Sequence, residues 1–355
     1  MAWFTEKPRA VARAHGARAG DRKGFFTDTS ICIGCKACEV ACKEWNRIPQ
    51  HGNLQLLGSS YDNTGGLGAN TWRHVAFIEQ DAERIQTARE SGRRLVDLGM
   101  PAVGPPARSA APPSGARSAL AANRTGPPSV FDEAAAGSTD TAPPDTDEFR
   151  WLMSSDVCKH CTHAGCLDVC PTGALFRTEF DTVVVQEDIC NGCGTCVAGC
   201  PFGVIERRED GTIDAKSDRA DSRYAQQIPN AGTANKCTLC YDRLVDGQTP
   251  ACAQTCPTES IRFGDRRDVV AKANERVREL HAQGRTEARL YGANNNDGVG
   301  GTGSVFLLLD EPEVYGLPPD PQVPTAQLGK MYATAALAAV GMAAGALAAF
   351  LGGRR

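Results

Sequence analysis

Cys190-Asn-Gly-Cys193-Gly-Thr-Cys196-Val-Ala-Gly-Cys200-Pro201 puts four thiols within eleven residues at the spacing C-x2-C-x2-C-x3-C. Gly192 and Gly194 sit between the first three, where a backbone wrapping a small object has to turn tightly. Cys32, Cys35, Cys38 and Cys42 repeat the spacing, with Gly34 in the first gap. Cys158, Cys161, Cys166 and Cys170 follow C-x2-C-x4-C-x3-C, and Cys237, Cys240, Cys252 and Cys256 follow C-x2-C-x11-C-x3-C. Pro171, Pro201 and Pro257 end three of the groups. Beyond them, Cys170-Pro-Thr-Gly-Ala-Leu-Phe, Cys200-Pro-Phe-Gly-Val-Ile and Cys256-Pro-Thr-Glu-Ser-Ile read as copies of one unit.

These groups use all 16 cysteines of a 355-residue chain, long enough for two domains. Thiols at that density call for a disulfide framework or for metal. The 190–200 run has the spacing of bacterial [4Fe–4S] ferredoxins, in which three thiolates hold one cubane and the fourth reaches the neighbouring one. Structural zinc is the main alternative, but zinc sites use two separated pairs rather than three thiolates within seven residues. Disulfides across C-x2-C would leave this much chain without a core. Four quartets predict four [4Fe–4S] clusters. Because the fourth Cys is shared reciprocally, the 158–170 and 190–200 groups pair with each other, and 32–42 pairs with 237–256. The expected fold is α+β: two ferredoxin-like dicluster modules, one inserted in the other, plus a C-terminal transmembrane helix. The first module covers 27–82 and 235–265, and the second covers 148–234.

The first 26 residues carry six Lys/Arg and no apolar run of signal-peptide length, so 1–26 reads as a basic, solvated arm. Residues 83–147 read as a Pro/Ala/Gly-rich insertion or linker, since Met100 to Asp145 holds nine of the 21 prolines. The insertion interrupts two strand-like runs, Trp72–Ile78 and Phe149–Met153. Residues 266–329 read as a helix with Val269, Val270, Ala273, Val277 and Leu280 on one face, then a buried strand at Val305–Leu309, then a Pro-rich spacer. Met331–Gly353 lacks any charge and ten of its 23 residues are Ala. At ~1.5 Å per residue it crosses a hydrocarbon core of roughly 30 Å, and Gly341 and Gly345 form a GxxxG face for another membrane helix.

Other chemistry is missing from the sequence. Gly298, Gly300 and Gly303 match G-x-G-x-x-G but precede a strand, where a dinucleotide site needs a helix. His160 and His163 fall beside an already complete thiol quartet, which suggests a supporting or surface role. Lys36, Lys159 and Lys236 adjoin cysteines and would favour a reduced, more negative cluster if buried; solvated lysines are the plainer reading. A formal net charge of −4 argues against nucleic acid as a partner. No catalytic constellation stands out, so the chain reads as a carrier of electrons.

Cys32-Ile-Gly-Cys-Lys-Ala-Cys-Glu-Val-Ala-Cys-Lys-Glu-Trp-Asn46 resembles the first cluster motif of the iron–sulfur (beta) subunit of membrane-bound formate dehydrogenase. The likeness continues through Cys237-Thr-Leu-Cys-Tyr-Asp-Arg243, Pro250-Ala-Cys-Ala-Gln-Thr-Cys-Pro257, Gly300-Gly301-Thr302, Tyr315-Gly-Leu-Pro318 and the single C-terminal anchor. It covers the chain except 1–25 and roughly 83–147. The resemblance implies that Cys32, Cys35, Cys38 and Cys256 hold one cluster, and Cys42, Cys237, Cys240 and Cys252 a second. It likewise implies Cys158, Cys161, Cys166 and Cys200 for the third, and Cys170, Cys190, Cys193 and Cys196 for the fourth. It further implies single-electron transfer from a formate-oxidising molybdenum- or tungsten-pterin subunit to a cytochrome b membrane subunit and quinone. Molybdopterin and haem b would lie on those partners only, and residues 331–353 would cross the cytoplasmic membrane. The soluble part would face outward, with Arg354 and Arg355 on the cytoplasmic side. The alternative is an equivalent four-cluster subunit of a hydrogenase or sulfur-compound reductase.

Overall fold

The computed structural model describes residues 22–49, 64–97, 149–208 and 232–352. Among them are ten strands: β1 (Lys23–Asp28), β2 (Arg73–Asp81), β3 (Phe149–Val157), β4 (Leu175–Arg177), β5 (Val183–Val185), β6 (Glu206–Arg207), β7 (Ala234–Asn235), β8 (Ile261–Asp265), β9 (Arg289–Tyr291) and β10 (Ser304–Leu308). A mixed four-stranded sheet in the order β8-β1-β10-β9 forms the base. Its central pair, β1 and β10, is parallel, with Phe26 opposite Val305. Strands buried on both faces lose the alternating polar pattern, and β10 accordingly reads Ser-Val-Phe-Leu-Leu with every residue buried. Helix Arg266–Ala282 covers the sheet with Val269, Ala273, Val277 and Leu280, as its three-and-four spacing predicts.

The sheet also gathers the cysteine groups. β1 leads into the first group and pairs antiparallel with β8, which follows the last. Helix Ala37–Trp45, which carries Cys38 and Cys42, packs against Ala251–Gln254, which carries Cys252. The two strand-like runs flanking the insertion do pair: β2 and β3 are antiparallel over nine positions, from Arg73 opposite Val157 to Asp81 opposite Phe149. Short ladders β4–β5 and β6–β7 brace the middle groups.

Two expectations need correction. Residues 22–26, expected within a solvated arm, are built into the fold: Phe25 and Phe26 are fully buried in β1, and Arg22 pairs with Asp181 at 3.3 Å. Residues 1–21 lie outside the described residues. The linker expected from 83 begins instead with helix Ala82–Asp97. The Asp81 carboxylate accepts the Arg84 N–H at 2.9 Å, an N-cap bond. Ile85 and Ala88 are buried, and Gly92 lies so close to the Thr286–Glu287 backbone that a Cβ there would clash. The high charge of this helix and the proline-rich composition beyond it hid a narrow apolar stripe. Residues 98–148, which hold the rest of that segment, lie outside the described residues, as do 209–231 of the second expected module.

Helix Leu328–Gly352 has 25 residues, none of them buried. It is long and apolar enough to cross a membrane. At its base, Thr325 Oγ1 donates to Asp168 Oδ2 at 2.9 Å, which ties the start of the tail to the segment between Cys166 and Cys170.

A buried polar network fixes the β2–β3 hairpin to the main sheet. Arg150 pairs with Glu287 at 2.7 Å and donates to the Gln80 side chain at 2.8 Å and to the Leu309 carbonyl at 3.1 Å. Removing one member of a buried pair strands the other charge. Arg150→Met is therefore expected to destabilise the fold by about 3–5 kcal/mol, read as a lowered thermal midpoint of the purified protein. Arg267→Met, at an exposed position, should stay within about 0.5 kcal/mol of the parent.

Candidate metal centres

The first C-x2-C pair of each group turns through the left-handed region at the residue before its second Cys: φ is 65° at Gly34, 45° at His160, 71° at Gly192 and 60° at Leu239. Glycine takes this conformation freely, whereas His160 and Leu239 do so at a cost of roughly 1–2 kcal/mol each. The shared geometry is the local reason why thiols two residues apart face one void.

The thiols stand in four sets. Cys32, Cys35, Cys38 and Cys256 ring an empty volume of about 300 Å³, partly open to solvent and bordered by Val75, Ser155 and Ser260. Cys158, Cys161, Cys166 and Cys200 ring one of about 340 Å³, bordered by His160, Phe202 and Lys236. Cys42, Cys237, Cys240 and Cys252 are all buried together; burial first, then Cys237, Cys252 and Cys240, pushes the Cys42 thiol well up. Around Cys196, burial and then Cys190, Cys170 and Cys193 push the thiol up to about 11. The sets also adjoin one another. After burial, Cys252 adds to the upward shift of Cys38, Cys158 to that of Cys237, and Cys196 to that of Cys166. Each set thus neighbours the next, from the Cys32 set through the Cys42 and Cys158 sets to the Cys170 set.

All 16 thiols are free. Among the described residues no three His, Cys, Asp or Glu side chains converge on a point that one metal ion could occupy. The Cys32 and Cys158 sets each face a gap between the packed side chains rather than one another's sulfurs alone. A four-iron cubane with one thiolate per iron fits this donor set; a zinc ion does not. Burial keeps the thiols of Cys32 and Cys38 up at about 11 and that of Cys161 higher still, so metal binding there must displace protons.

N–H groups and fixed cations surround the sulfurs. The Leu239 N–H lies 3.3 Å from Cys237 Sγ, the Ala234 N–H 3.4 Å from Cys190 Sγ, and the Asn46 amide 3.7 Å from Cys42 Sγ. Lys159 and Lys236 are not solvated: both are buried, Lys159 paired with Asp156 and Lys236 donating to the Val183 and Cys237 carbonyls. Lys36 is half-buried and pairs with Glu39 at 3.4 Å. His160 is buried and neutral, its Nδ1 accepting the Val183 N–H at 3.1 Å; burial, then Lys236, Arg177 and Arg22, holds its pKa well below the usual range. It borders the Cys158 void without replacing a thiol, and His163 is exposed. The glycine loop clasps this group: Thr162 and His163 donate backbone bonds to Gly301 and Val299, and Gly303 donates to Lys159. Sequence reasoning missed Arg73 and Ser155, polar residues inside two apolar-looking strands that the β2–β3 register brings beside the first void.

A family model described as a 4Fe-4S dicluster domain matches residues 31–174, and a second of that description matches 149–266. Together they span every cysteine, and the protein is a [4Fe–4S] dicluster protein. The formate dehydrogenase iron-sulfur subunit of Haemophilus influenzae is 33% identical over 300 residues, 83% of this chain and 68% of that protein. The iron-sulfur subunit of the nitrate-inducible formate dehydrogenase of Escherichia coli is 32% identical over 302 residues, 84% of this chain and 73% of that one. A thiosulfate reductase electron transfer subunit of Salmonella typhi is 43% identical over 108 residues, 30% of this chain and 46% of that protein. The chain belongs to the family of formate dehydrogenase iron–sulfur subunits.

At Gly192 a side chain would meet the Gly232 carbonyl oxygen at 2.2 Å, at a φ that L residues rarely adopt. Gly192→Ala is expected to distort the turn between Cys190 and Cys193 and to lower the iron bound by the purified protein, read by metal analysis against the parent. Gly203→Ala, at a similar φ with open space around it, should keep full iron at a cost of about 1–2 kcal/mol.

Proposed function

We propose that this chain carries single electrons through four [4Fe–4S] clusters, from a formate-oxidising molybdenum- or tungsten-pterin subunit to a cytochrome b membrane subunit and quinone. Cys32, Cys35, Cys38 and Cys256 hold the first cluster, and Cys42, Cys237, Cys240 and Cys252 the second. Cys158, Cys161, Cys166 and Cys200 hold the third, and Cys170, Cys190, Cys193 and Cys196 the fourth, in two nested modules. When bound, each cluster supplies a one-electron couple. The observation that carries this reading is the unbroken succession of thiol sets, each within electrostatic reach of the next.

The ends of the line differ from its middle, as a through-carrier requires. Cys35 and Cys193 are exposed, while every thiol of the Cys42 set is buried. The first end presents Ile33 and Val40 to solvent, an apolar surface suited to the catalytic partner. The last end lies beside the base of the apolar tail, through Thr325 and Asp168, and so faces the membrane partner. The anchor spans 331–353 with the soluble part outside; Arg354 and Arg355, on the cytoplasmic side by the positive-inside rule, lie outside the described residues. An equivalent role in a sulfur-compound reductase is the second reading, favoured by the likeness to the thiosulfate reductase subunit.

Purification of the native complex in detergent should bring down a pterin subunit and a haem b subunit, and formate should reduce both an artificial dye and the haem. Cys193→Ser should leave dye reduction at the catalytic subunit near the parent rate while slowing haem reduction by about a hundredfold or more, since one iron of the last cluster loses its thiolate. A complex inert to formate but active with hydrogen or thiosulfate would assign the chain to the second reading.

A further inference from the structure

Arg73 opens β2 with a guanidinium that is 1% exposed, and no carboxylate among the described residues pairs with it. Its Nη1 donates to Ser155 Oγ at 2.9 Å and to the Ser155 carbonyl at 3.3 Å. Its Nε and Nη2 are buried without any hydrogen-bond partner. The ring of Phe25 lies 4.9 Å from its centre. A buried, unpaired guanidinium is one of the costlier arrangements a fold can hold. Its charge is felt by thiols of two sets: Cys38 of the first, and Cys42 and Cys252 of the second. The bond to Ser155 is directional. Arginine can only donate, so the Ser155 oxygen accepts, and its own hydrogen is left free for Cys38 Sγ at 3.2 Å.

We infer that Arg73 is the fixed counter-charge of the first two clusters: its unpartnered N–H groups serve the second cluster, and Ser155 relays its hydrogen bonding to the first. This rests on the four-cluster reading above. A permanent positive charge between two clusters stabilises whichever of them holds the extra electron, so both couples are raised. The charge does no chemistry on a substrate; Arg73 and Ser155 are positioning residues for electrons.

The test is an EPR-monitored redox titration of the full complex in detergent, comparing the parent with Arg73→Met, Arg73→Lys and Ser155→Ala, with iron content measured alongside. Arg73→Met should keep full iron while two cluster signals become harder to reduce by tenfold or more in the reduced-to-oxidised ratio at fixed potential, 59 mV for a one-electron couple. Arg73→Lys should stay within threefold of the parent, and Ser155→Ala should move one signal downward by threefold or more. Should Arg73→Met fail to assemble, the Ser155→Ala and Arg73→Lys titrations carry the decision. Unmoved signals in Arg73→Met or Ser155→Ala, or a tenfold or larger shift in Arg73→Lys, would overturn the inference. A parent complex without [4Fe–4S] signals would sink the four-cluster reading itself, a separate outcome from any variant result.

Discussion

Four thiols around one void repel each other as soon as they ionise, and burial penalises each charge again. The rest of the molecule is arranged around that conflict. Cys42, Cys237 and Cys252 are wholly enclosed, and burial is the leading cause of the upward shift of each. A chain that left them as neutral thiols would carry several water-sized voids in its core and gain nothing for them. Iron resolves the conflict by replacing protons, and the surrounding Leu239, Ala234 and Asn46 donors then face sulfur that bears real charge. The buried cations Arg73 and Lys236 belong to the same arrangement: each is hard to justify in an apolar core and reasonable beside an anionic cluster.

Linear order follows from topology. Pairing of β1 with β8 brings the start and the end of the cysteine-bearing region together, so the first and last groups can share two voids. The middle groups occupy the segment between β3 and β7 and meet the others where Cys158 approaches Cys237. The nine-residue β2–β3 ladder delivers Ser155 to the first void with Arg73 hydrogen-bonded behind it, and is itself held by Arg150 and Glu287. Mutations that loosen this hairpin would reach the clusters through two side chains rather than through any thiol.

Much of this was legible in the residues alone. Cysteine spacing is a direct geometric statement; an unbroken apolar run placed the strand at Val305–Leu309, and three-and-four spacing the helix face of Val269, Ala273, Val277 and Leu280. Helix Ala82–Asp97 escapes a reading of the sequence because its buried stripe is only Ile85, Ala88, Ser91 and Gly92 on an otherwise charged surface. The arm was drawn too long because Phe25 and Phe26 follow a run of basic residues and carry no periodic signal over so few positions. Arg73 was invisible for a different reason. A single arginine in a strand reads as an outward-facing side chain, and only the folded structure shows that it is buried against Ser155 and Phe25.

Iron speciation bears most directly on the whole account. In the detergent-purified complex from cells grown on 57Fe, metal and sulfide analysis with Mössbauer spectroscopy should assign about sixteen irons, in matching amount to acid-labile sulfide, to this chain. Every one of them should be of the sulfur-ligated cubane type, with no zinc on the thiols. Zinc in their place, or a chain with iron for only one or two cubanes, would contradict it.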